Sequence, residues 1–517
     1  MDEAFLREMT DGYAFAEPSL LLGGPMLGGE VAPGAPVRLP LSMVNRHGLI
    51  AGATGTGKTK TLQILAGQLS DAGVPVFVSD VKGDLTGISQ PGDASAAPII
   101  ERAEQLGVTY EPKGHPVELL SLSGALGAQV RATVSSFGPL LLGKVLDLNK
   151  TQVSVLTLVF AYCDDQRLPL LDLADLRTTL KFLASDEGKE ALEGYGGFSR
   201  ATIGVLLRSI VELEVAGAEA FFGEPEFDVH DLMRTTEDGR GVMSLLELSD
   251  VMDRPRLFST FMLWMLAQLY AQLPEEGDLA KPKLAFFFDE AHLLFADASE
   301  VLMEQIELTA RLIRSKGVGV YFVTQAPTDV PSSVLSQLGN RVQHALRAHT
   351  PQDESDLRKT VRTFPKSEHY DVGETLTSLG IGEAFVTMLS PGGVPTPLVA
   401  THLVPPDSLM DAVDEPTLRQ LIADGSLQAR YAAPVDRESA HEMITARLAG
   451  AANVAPLPPP PANPKPASAA KASKTEPEGG IVDAVKDIGV GFAKDMLTTA
   501  DGRRTLRTVF GALFGKK

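Results

Sequence analysis

A glycine-rich segment between two apolar stretches most constrains the fold of this chain. Residues 52–59 read GATGTGKT and fit the phosphate-binding pattern G-x-x-x-x-G-K-[ST]. The apolar run at 47–51 predicts a strand before the segment, and residues 61–66 predict a helix after it. In this setting backbone N–H groups can surround phosphate oxygens, and the positive end of the helix dipole adds to the attraction. A glycine-rich turn that matches by chance is the alternative, and the flanking strand and helix disfavour it.

The positions of this P-loop segment have individual roles in binding a nucleotide. Lys58 is expected to reach the β- and γ-phosphates, and Thr59 is expected to ligate Mg²⁺. The following residue, Lys60, belongs to the same predicted set. The predicted nucleotide-binding residues are Gly52, Ala53, Thr54, Gly55, Thr56, Gly57, Lys58, Thr59 and Lys60.

Length and charge bound the class of protein. A chain of 517 residues has room for two to four domains, or for one large domain with insertions. The net charge of −20 predicts a soluble cytoplasmic protein and argues against a broadly basic surface that coats nucleic acid, although it does not exclude a local basic channel.

Cys163 is the single cysteine, so no disulfide framework or thiolate metal site is expected. The start of the chain lacks the features of a signal peptide. Residues 257–274 are uncharged but short for a membrane span, so we expect a buried helix.

Alternation of short apolar runs with helical patterns predicts an α/β protein with a mostly parallel sheet. Candidate buried strands are 74–78, 242–248, 284–288, 318–324, 342–348 and 384–389. The predicted organisation is an N-terminal lead-in at 1–40, a P-loop half of the core at 41–119, a mainly helical insertion at 120–280, a second half of the core at 281–405, a helical extension at 406–453, a linker rich in proline, alanine and lysine at 454–479, and a basic amphipathic tail at 480–517.

The tail differs in character from the rest of the chain. Apolar residues recur there at helical spacing, and its last part carries arginines and lysines without acids. Such a segment on an acidic protein is typical of an element that docks on a membrane surface or on another chain. A helix that packs on the acidic body of its own chain explains the pattern equally well.

A second motif closes the predicted strand at 284–288. The apolar run ends in Asp289 and Glu290, which is the Walker B arrangement. Asp289 is expected to hold Mg²⁺, and Glu290 is expected to orient and activate the water that attacks the γ-phosphate. A solvated pair of acids at a strand end is the alternative. It is disfavoured because a good P-loop precedes the motif.

Other polar residues occur at or near neighbouring strand ends. Gln325 follows the predicted strand at 318–324 and could sense the γ-phosphate or the attacking water, although a capping role is the alternative. Asp80 follows another strand and is a candidate acid or water ligand in the same crevice. Arg311 and Arg314 precede the strand at 318–324, where guanidinium groups suit phosphate charge; from spacing alone, ordinary surface arginines explain them better.

Further patterns narrow the nucleotide and exclude other chemistries. Residues 149–152 read NKTQ and superficially resemble a guanine-reading motif, but the acid that the motif needs is missing. ATP is therefore favoured over GTP. The sequence contains no H-E-x-x-H zinc motif and no G-x-S-x-G nucleophile motif.

Together these motifs resemble the HerA–FtsK ATPases. The P-loop at 47–59, the segment SDVKGD at 79–84, the run FDEAH at 288–292 and the run at 314–325 are each similar to a HerA segment. The bacterial HerA-like proteins of the YjgR type are the most similar subgroup, and the resemblance covers roughly residues 15–405.

The resemblance implies a RecA-like (ASCE) P-loop NTPase core that uses ATP and Mg²⁺. It also implies a ring, usually hexameric, with active sites between subunits, and DNA as a candidate substrate. Arg314 then becomes the best candidate for an arginine finger in trans, with Arg311 and Arg347 as runners-up. The segment at 1–40 is short, so we expect no counterpart of the N-terminal β-barrel of HerA. The predicted catalytic residues are Glu290, Lys58, Gln325, Arg314 and Asp80, and the predicted metal ligands are Thr59 and Asp289.

Overall fold

The chain forms two compact units in a computed structural model that describes residues 2–191, 199–252, 254–295, 300–348 and 350–450. The first unit comprises Met1–Arg131 and Pro225–Pro434, and the second comprises Ala132–Glu224 and the residues from Val435 onward. The predicted linker at 454–479 and tail at 480–517 lie outside the described residues.

A mixed β-sheet forms the centre of the first unit. Among the described residues it has 13 strands, in the order β2-β1-β13-β12-β11-β4-β10-β9-β5-β8-β6-β7, with β3 paired to β1. The strands are β1 Ser19–Leu27, β2 Glu30–Val31, β3 Val37–Pro40, β4 Gly48–Ala51, β5 Val76–Asp80, β6 Val117–Ser121, β7 Ala128–Gln129, β8 Met243–Glu247, β9 Leu284–Phe288, β10 Val318–Thr324, β11 Asn340–His344, β12 Glu383–Thr387 and β13 Val399–Leu403.

The sheet is parallel from β11 to β7 and antiparallel on the side of β12, β13 and β1. Strands β4, β5, β8, β9 and β10 are buried along their whole length, as expected for interior parallel strands covered on both faces. β10 lies between β4 and β9, so the P-loop strand and the Walker B strand both neighbour it. Their carboxyl ends therefore meet at one edge, where open α/β sheets bind ligands.

Helices accompany the sheet in the first unit. They are α1 Glu3–Gly12, α2 Lys58–Asp71, α3 Ala97–Leu106, α9 Pro255–Gln272, α10 His292–Phe295, α11 Glu300–Ile313, α12 Ser332–Leu335, α13 Pro351–Val361, α14 Val372–Ser378, α15 Glu415–Asp424 and α16 Gln428–Tyr431. Apolar residues of α9 from Leu257 to Leu269 are almost fully buried, which agrees with the predicted buried helix. Across the described part of the chain, no helix combines the length and the apolar character that a bilayer crossing requires.

The second unit is helical in its described part. Its helices are α4 Val134–Val145, α5 Lys150–Asp165, α6 Leu173–Ala184, α7 Asp186–Ala191, α8 Arg200–Val215 and α17 Ala440–Gly450. Residues 149–152 form the start of α5: the Asn149 side chain accepts the Gln152 N–H at 3.0 Å, and the Gln152 side chain accepts the Asn149 N–H at 2.8 Å. This capping box gives the NKTQ segment a structural role at a helix terminus.

Of the helical insertion predicted at 120–280, only residues 132–224 belong to the second unit. Residues 225–280 belong to the first unit, because β8 inserts between β5 and β6 and α9 packs against α11. The predicted extension at 406–453 is likewise divided, since α15 and α16 lie in the first unit and α17 lies in the second. Helical periodicity identified these helices, but it could not show which unit each helix packs in.

Candidate functional site

The P-loop joins β4 to α2 at the carboxyl edge of the sheet. Gly55 and Gly57 have φ of 77° and 111°, which only glycine adopts without strain, and Gly57 is the N-cap of α2. Thr54 and Gly55 are exposed at the tip of the loop. The first N–H groups of α2 have no acceptor within the helix, as at every helix N-terminus. The loop therefore presents backbone donors and a helix dipole to an anion.

Residues at the end of β11 and just before β12 contact the P-loop. A Cβ atom on Gly52 would lie 2.4 Å from the Cβ of His344, so this position requires glycine. The Ala53 N–H donates to the carbonyl of Ala345 at 2.9 Å, and the Gly382 N–H donates to the carbonyl of Thr56 at 3.0 Å. These contacts hold the loop in place.

Lys58 points back along the P-loop. Its ammonium donates to the carbonyl of Ala53 at 3.2 Å, and the residue is 8% exposed. Burial lowers the pKa of Lys58, and the negative charge of Glu290 opposes that effect. A buried cation beside exposed backbone N–H groups is suited to phosphate oxygens. Thr59 lies half-buried in the first turn of α2.

Asp289 and Glu290 follow β9 directly and are both buried. Asp289 Oδ2 and Glu290 Oε2 have no hydrogen-bond partner among the described residues. Burial raises the pKa of Asp289 to about 7, and the charges of Glu290 and Asp80 add to that rise. Glu290 has φ of 46°, an uncommon left-handed conformation for a residue with a side chain.

Asp80 closes β5 and organises the turn that follows it. Its carboxylate accepts the N–H groups of Lys82 at 3.1 Å, Gly83 at 2.8 Å and Leu85 at 2.9 Å. Burial raises the pKa of Asp80, and these three donors oppose the rise. Asp80, which was predicted as a ligand, therefore also stabilises the backbone conformation of residues 80–85.

Three acids meet at this edge of the sheet. One carboxylate oxygen from each of Asp80, Asp84 and Asp289 lies within 4.8 Å of the other two. Carboxylate oxygens are the ligands that Mg²⁺ prefers, and Asp289 offers a buried oxygen without a hydrogen bond. The donor set therefore fits a divalent cation.

Lys82 forms an ion pair with Glu290. The Lys82 ammonium donates to Glu290 Oε1, while Glu290 Oε2 lies 3.3 Å from His292 Nδ1. Burial alone would raise the pKa of Glu290, but the hydrogen bond and charge of Lys82 hold that pKa below its usual value.

Gln325 lies exposed just after β10 and borders a cleft of about 390 Å³. Ala53, His292 and Arg347 line the same cleft, so Gln325 shares a surface with the P-loop and with the residues after Glu290. The sheet order alone accounts for this proximity, because β10 pairs with both β4 and β9.

The structure separates the arginine candidates. Arg314 is exposed and lies just before β10, whereas the P-loop lies at the far end of that strand. β10 has 7 residues and spans about 23 Å at roughly 3.3 Å per residue. Arg311, also exposed, precedes it on α11. Arg347 borders the cleft, but its guanidinium donates to the carbonyls of Thr377 and Leu379.

Lys60, predicted in the phosphate-binding set, directs its side chain elsewhere. Its ammonium donates to the carbonyl of Met410, so only its backbone N–H remains for a phosphate. The sequence analysis assigned no role to Lys82, Asp84 or His344. A pattern that could have identified Lys82 and Asp84 is present, because both lie in the polar run at 79–84 that follows a predicted strand. His344 offered no comparable pattern.

The fold and this edge of the sheet define a RecA-like P-loop NTPase core. The chain belongs to the Helicase HerA-like C-terminal family, whose sequence model matches residues 27–517. The predicted family and fold class are thereby confirmed, while the YjgR-type subgroup stays a prediction.

Individual relatives are distant in sequence. The chain is 21% identical over 363 residues to the DNA double-strand break repair helicase HerA of Saccharolobus solfataricus, covering 70% of this chain and 65% of the relative. It is 22% identical over 367 residues to the same helicase of Sulfolobus acidocaldarius, covering 70% of this chain and 66% of the relative. The chain thus spans just under two thirds of these relatives. Among solved structures, it is similar to the plasmid coupling protein TrwB in complex with ADP and Mg²⁺, with 14% identity, 78% of this chain and 96% of that chain covered, and a TM-score of 0.47.

Proposed function

We propose that this protein is a Mg²⁺-dependent ATPase of the HerA type. The observation that carries the proposal is the meeting of the P-loop Lys58 with Asp289 and Glu290 at one sheet edge, with Gln325 directly after the strand that lies between the two motifs. The backbone of residues 52–59 and the Lys58 ammonium bind the phosphates of ATP. Thr59 and Asp289 would hold Mg²⁺, which would offset charge on the β- and γ-phosphates.

In the proposed reaction, Glu290 orients a water molecule and takes up its proton. The water oxygen forms a bond to the γ-phosphorus while the bond to the β-phosphate oxygen breaks, which gives ADP and phosphate. Gln325 contacts the γ-phosphate or this water. Arg314 enters the site from a neighbouring subunit, since its own P-loop lies at the other end of β10.

Two variants test the hydrolysis. Lys58→Ala should abolish phosphate release and weaken ATP binding, because it removes the phosphate-binding cation. Glu290→Gln should keep ATP binding but lower kcat by about 100-fold or more, because it removes the group that activates water. Phosphate release and binding of a fluorescent ATP analogue measure the two effects. Undiminished turnover by Lys58→Ala would refute the proposal.

The work coupled to hydrolysis is proposed to be translocation or remodelling of DNA by a ring, usually hexameric in this family. Support comes from the family membership and from the name of the HerA relatives. Mass photometry with and without ATP and DNA tests the ring. DNA binding should fall steeply as salt rises, because contacts to phosphates release counterions. If single- and double-stranded DNA neither bind at low salt nor stimulate hydrolysis, the DNA substrate is wrong.

A second candidate is an ATP-switched scaffold that its tail anchors to a membrane surface or a partner protein. The contrast between the net charge of −20 and the basic amphipathic tail at 480–517 favours it. Deletion of residues 455–517 distinguishes the two candidates. Retained rings and DNA-stimulated hydrolysis, with loss of membrane or partner association, would identify the tail as an anchor.

A further inference from the structure

The ion pair between Lys82 and Glu290 points to a role that the P-loop and Walker B motifs do not include. We propose that Lys82 is a positioning residue, which holds the carboxylate of Glu290 in place for the attacking water. The inference rests on the proposed ATPase function, because Glu290 is the group that activates water in that reaction.

Only one of the two carboxylate oxygens of Glu290 accepts a hydrogen bond from the described residues. Oε1 accepts the Lys82 ammonium, whereas Oε2 makes no hydrogen bond among the described residues and lies 3.3 Å from His292 Nδ1. A carboxylate held at one oxygen keeps the other free to accept a hydrogen bond from water. Phosphoryl transfer demands little covalent chemistry from the protein, so orientation of this oxygen matters more than its basicity.

Lys82 is itself held by the turn that Asp80 organises. The Asp80 carboxylate accepts the N–H groups of Lys82, Gly83 and Leu85, and Gly83 takes φ of 72°. These bonds fix the backbone from which the lysine side chain extends. Asp80 therefore acts on Glu290 through Lys82, which gives this predicted catalytic acid a positioning role in the site.

Charge explains why Glu290 needs a cation beside it. The side chain of Glu290 is 7% exposed, and the charge of the adjacent Asp289 repels it. The Lys82 side chain is 47% exposed, so water solvates it while it neutralises a buried carboxylate. Glu290 also has a left-handed backbone, which persists only where surrounding contacts support it. The ion pair is one such contact.

Replacement of Lys82 by methionine tests the inference, because methionine keeps much of the length and removes the charge. Lys82→Met should lower kcat for ATP at least 10-fold and change KM less than 2-fold. Lys82→Arg should recover at least half of the lost activity. Lys113→Met is the matched control, since the Lys113 side chain is 45% exposed and pairs with Asp71 and Asp407. This control should keep wild-type kcat.

A second measurement separates positioning from a general loss of structure. Because Lys82 places a positive charge near Asp289 and Asp84, its removal should tighten binding of Mn²⁺ to the nucleotide-free protein about 3-fold or more, measured by calorimetry. A damaged fold would instead weaken Mn²⁺ binding together with kcat. Lower kcat with tighter Mn²⁺ binding supports the role of Lys82.

Two outcomes overturn it: a kcat of Lys82→Met within 2-fold of wild type, or a loss of kcat accompanied by weaker Mn²⁺ binding. The proposed ATPase function is judged separately by the wild-type protein and Lys58→Ala. If wild type hydrolyses ATP, Lys58→Ala does not, and Lys82→Met matches wild type, then only the role of Lys82 fails. If the wild-type protein shows no Mg²⁺-dependent hydrolysis, the ATPase function fails.

Discussion

His344 Nε2 lies 2.8 Å from Thr61 Oγ1, and this hydrogen bond joins the end of β11 to the first turns of α2. His344 is fully buried and also packs against Gly52. The P-loop is thereby held between the strand that precedes it and a neighbouring strand that follows almost 300 positions later in the chain. The conformation of the loop depends on this contact as well as on glycines that can adopt its backbone angles.

In a double-mutant cycle, substitutions at His344 and Thr61 should have non-additive effects on the free energy of unfolding. His344→Ala removes a buried ring and leaves the Thr61 hydroxyl unpaired, which should cost about 2–4 kcal/mol of unfolding free energy. Thr61→Val should cost less, and the coupling energy should be about 0.5–1.5 kcal/mol. Urea unfolding measures all four proteins. A coupling energy near zero would show that the hydrogen bond contributes nothing.

Stability should fall as pH drops from 6.5 towards 4. Burial lowers the pKa of His47 to about 4 and that of His344 to about 4, whereas both titrate near 6.5 when unfolded. The unfolded chain therefore binds more protons in this interval, and each histidine contributes at most about 3 kcal/mol of acid destabilisation. Urea unfolding at several pH values measures the slope. His344→Gln should make it shallower, and an unchanged slope would contradict the assignment.

Glu247 should destabilise the fold as pH rises. It ends β8 beside Asp80, and burial raises its pKa to about 9, with further contributions from Asp80, Asp250 and Asp84. Between pH 4.5 and 9 the folded protein must keep a proton that the unfolded chain releases. Glu247→Gln removes this cost, so its gain in unfolding free energy should grow from pH 5 to pH 9.

Thermal or urea unfolding in EDTA measures that gain without a bound cation. Glu118→Gln is an instructive comparison, because Glu118 is also buried but pairs with Arg234, which donates at 2.9 Å. That variant should lose stability. A Glu247→Gln protein that is destabilised at pH 9 would contradict the burial of a protonated carboxyl.

Arg314 should act across subunits. Arg314→Ala should keep ATP binding and lower kcat by about 1,000-fold or more, as for other arginine fingers. Mixtures of Arg314→Ala and Lys58→Ala subunits should regain activity, because some interfaces then combine an intact P-loop with an intact arginine. Phosphate release from mixed and unmixed proteins provides the measurement, with Arg419→Ala, at an exposed arginine that pairs with Glu415, as the control. Equal activity of Arg314→Ala and wild type would exclude Arg314.

Much of the nucleotide-site prediction could be made from sequence because its signals are local. The P-loop pattern needs only its own glycines, the lysine at 58 and the adjacent strand and helix. The strands at 284–288 and 318–324 were predicted with the bounds that the structure has, because continuous apolar runs identify interior parallel strands. Periodicity failed for the unit boundaries, because a helix has the same period in either unit.

The sequence by itself determined the P-loop, the acids after β9 and the α/β class, since backbone preferences and hydrophobic runs are properties of neighbouring residues. Only the tertiary structure decided that Lys82 pairs with Glu290, that His344 supports Gly52, and that Arg314 lies at the opposite end of β10 from the P-loop of its own chain. These relationships join residues far apart in the chain. They arise from the order in which strands pair, and that order is set by the packing of the whole sheet rather than by any local pattern.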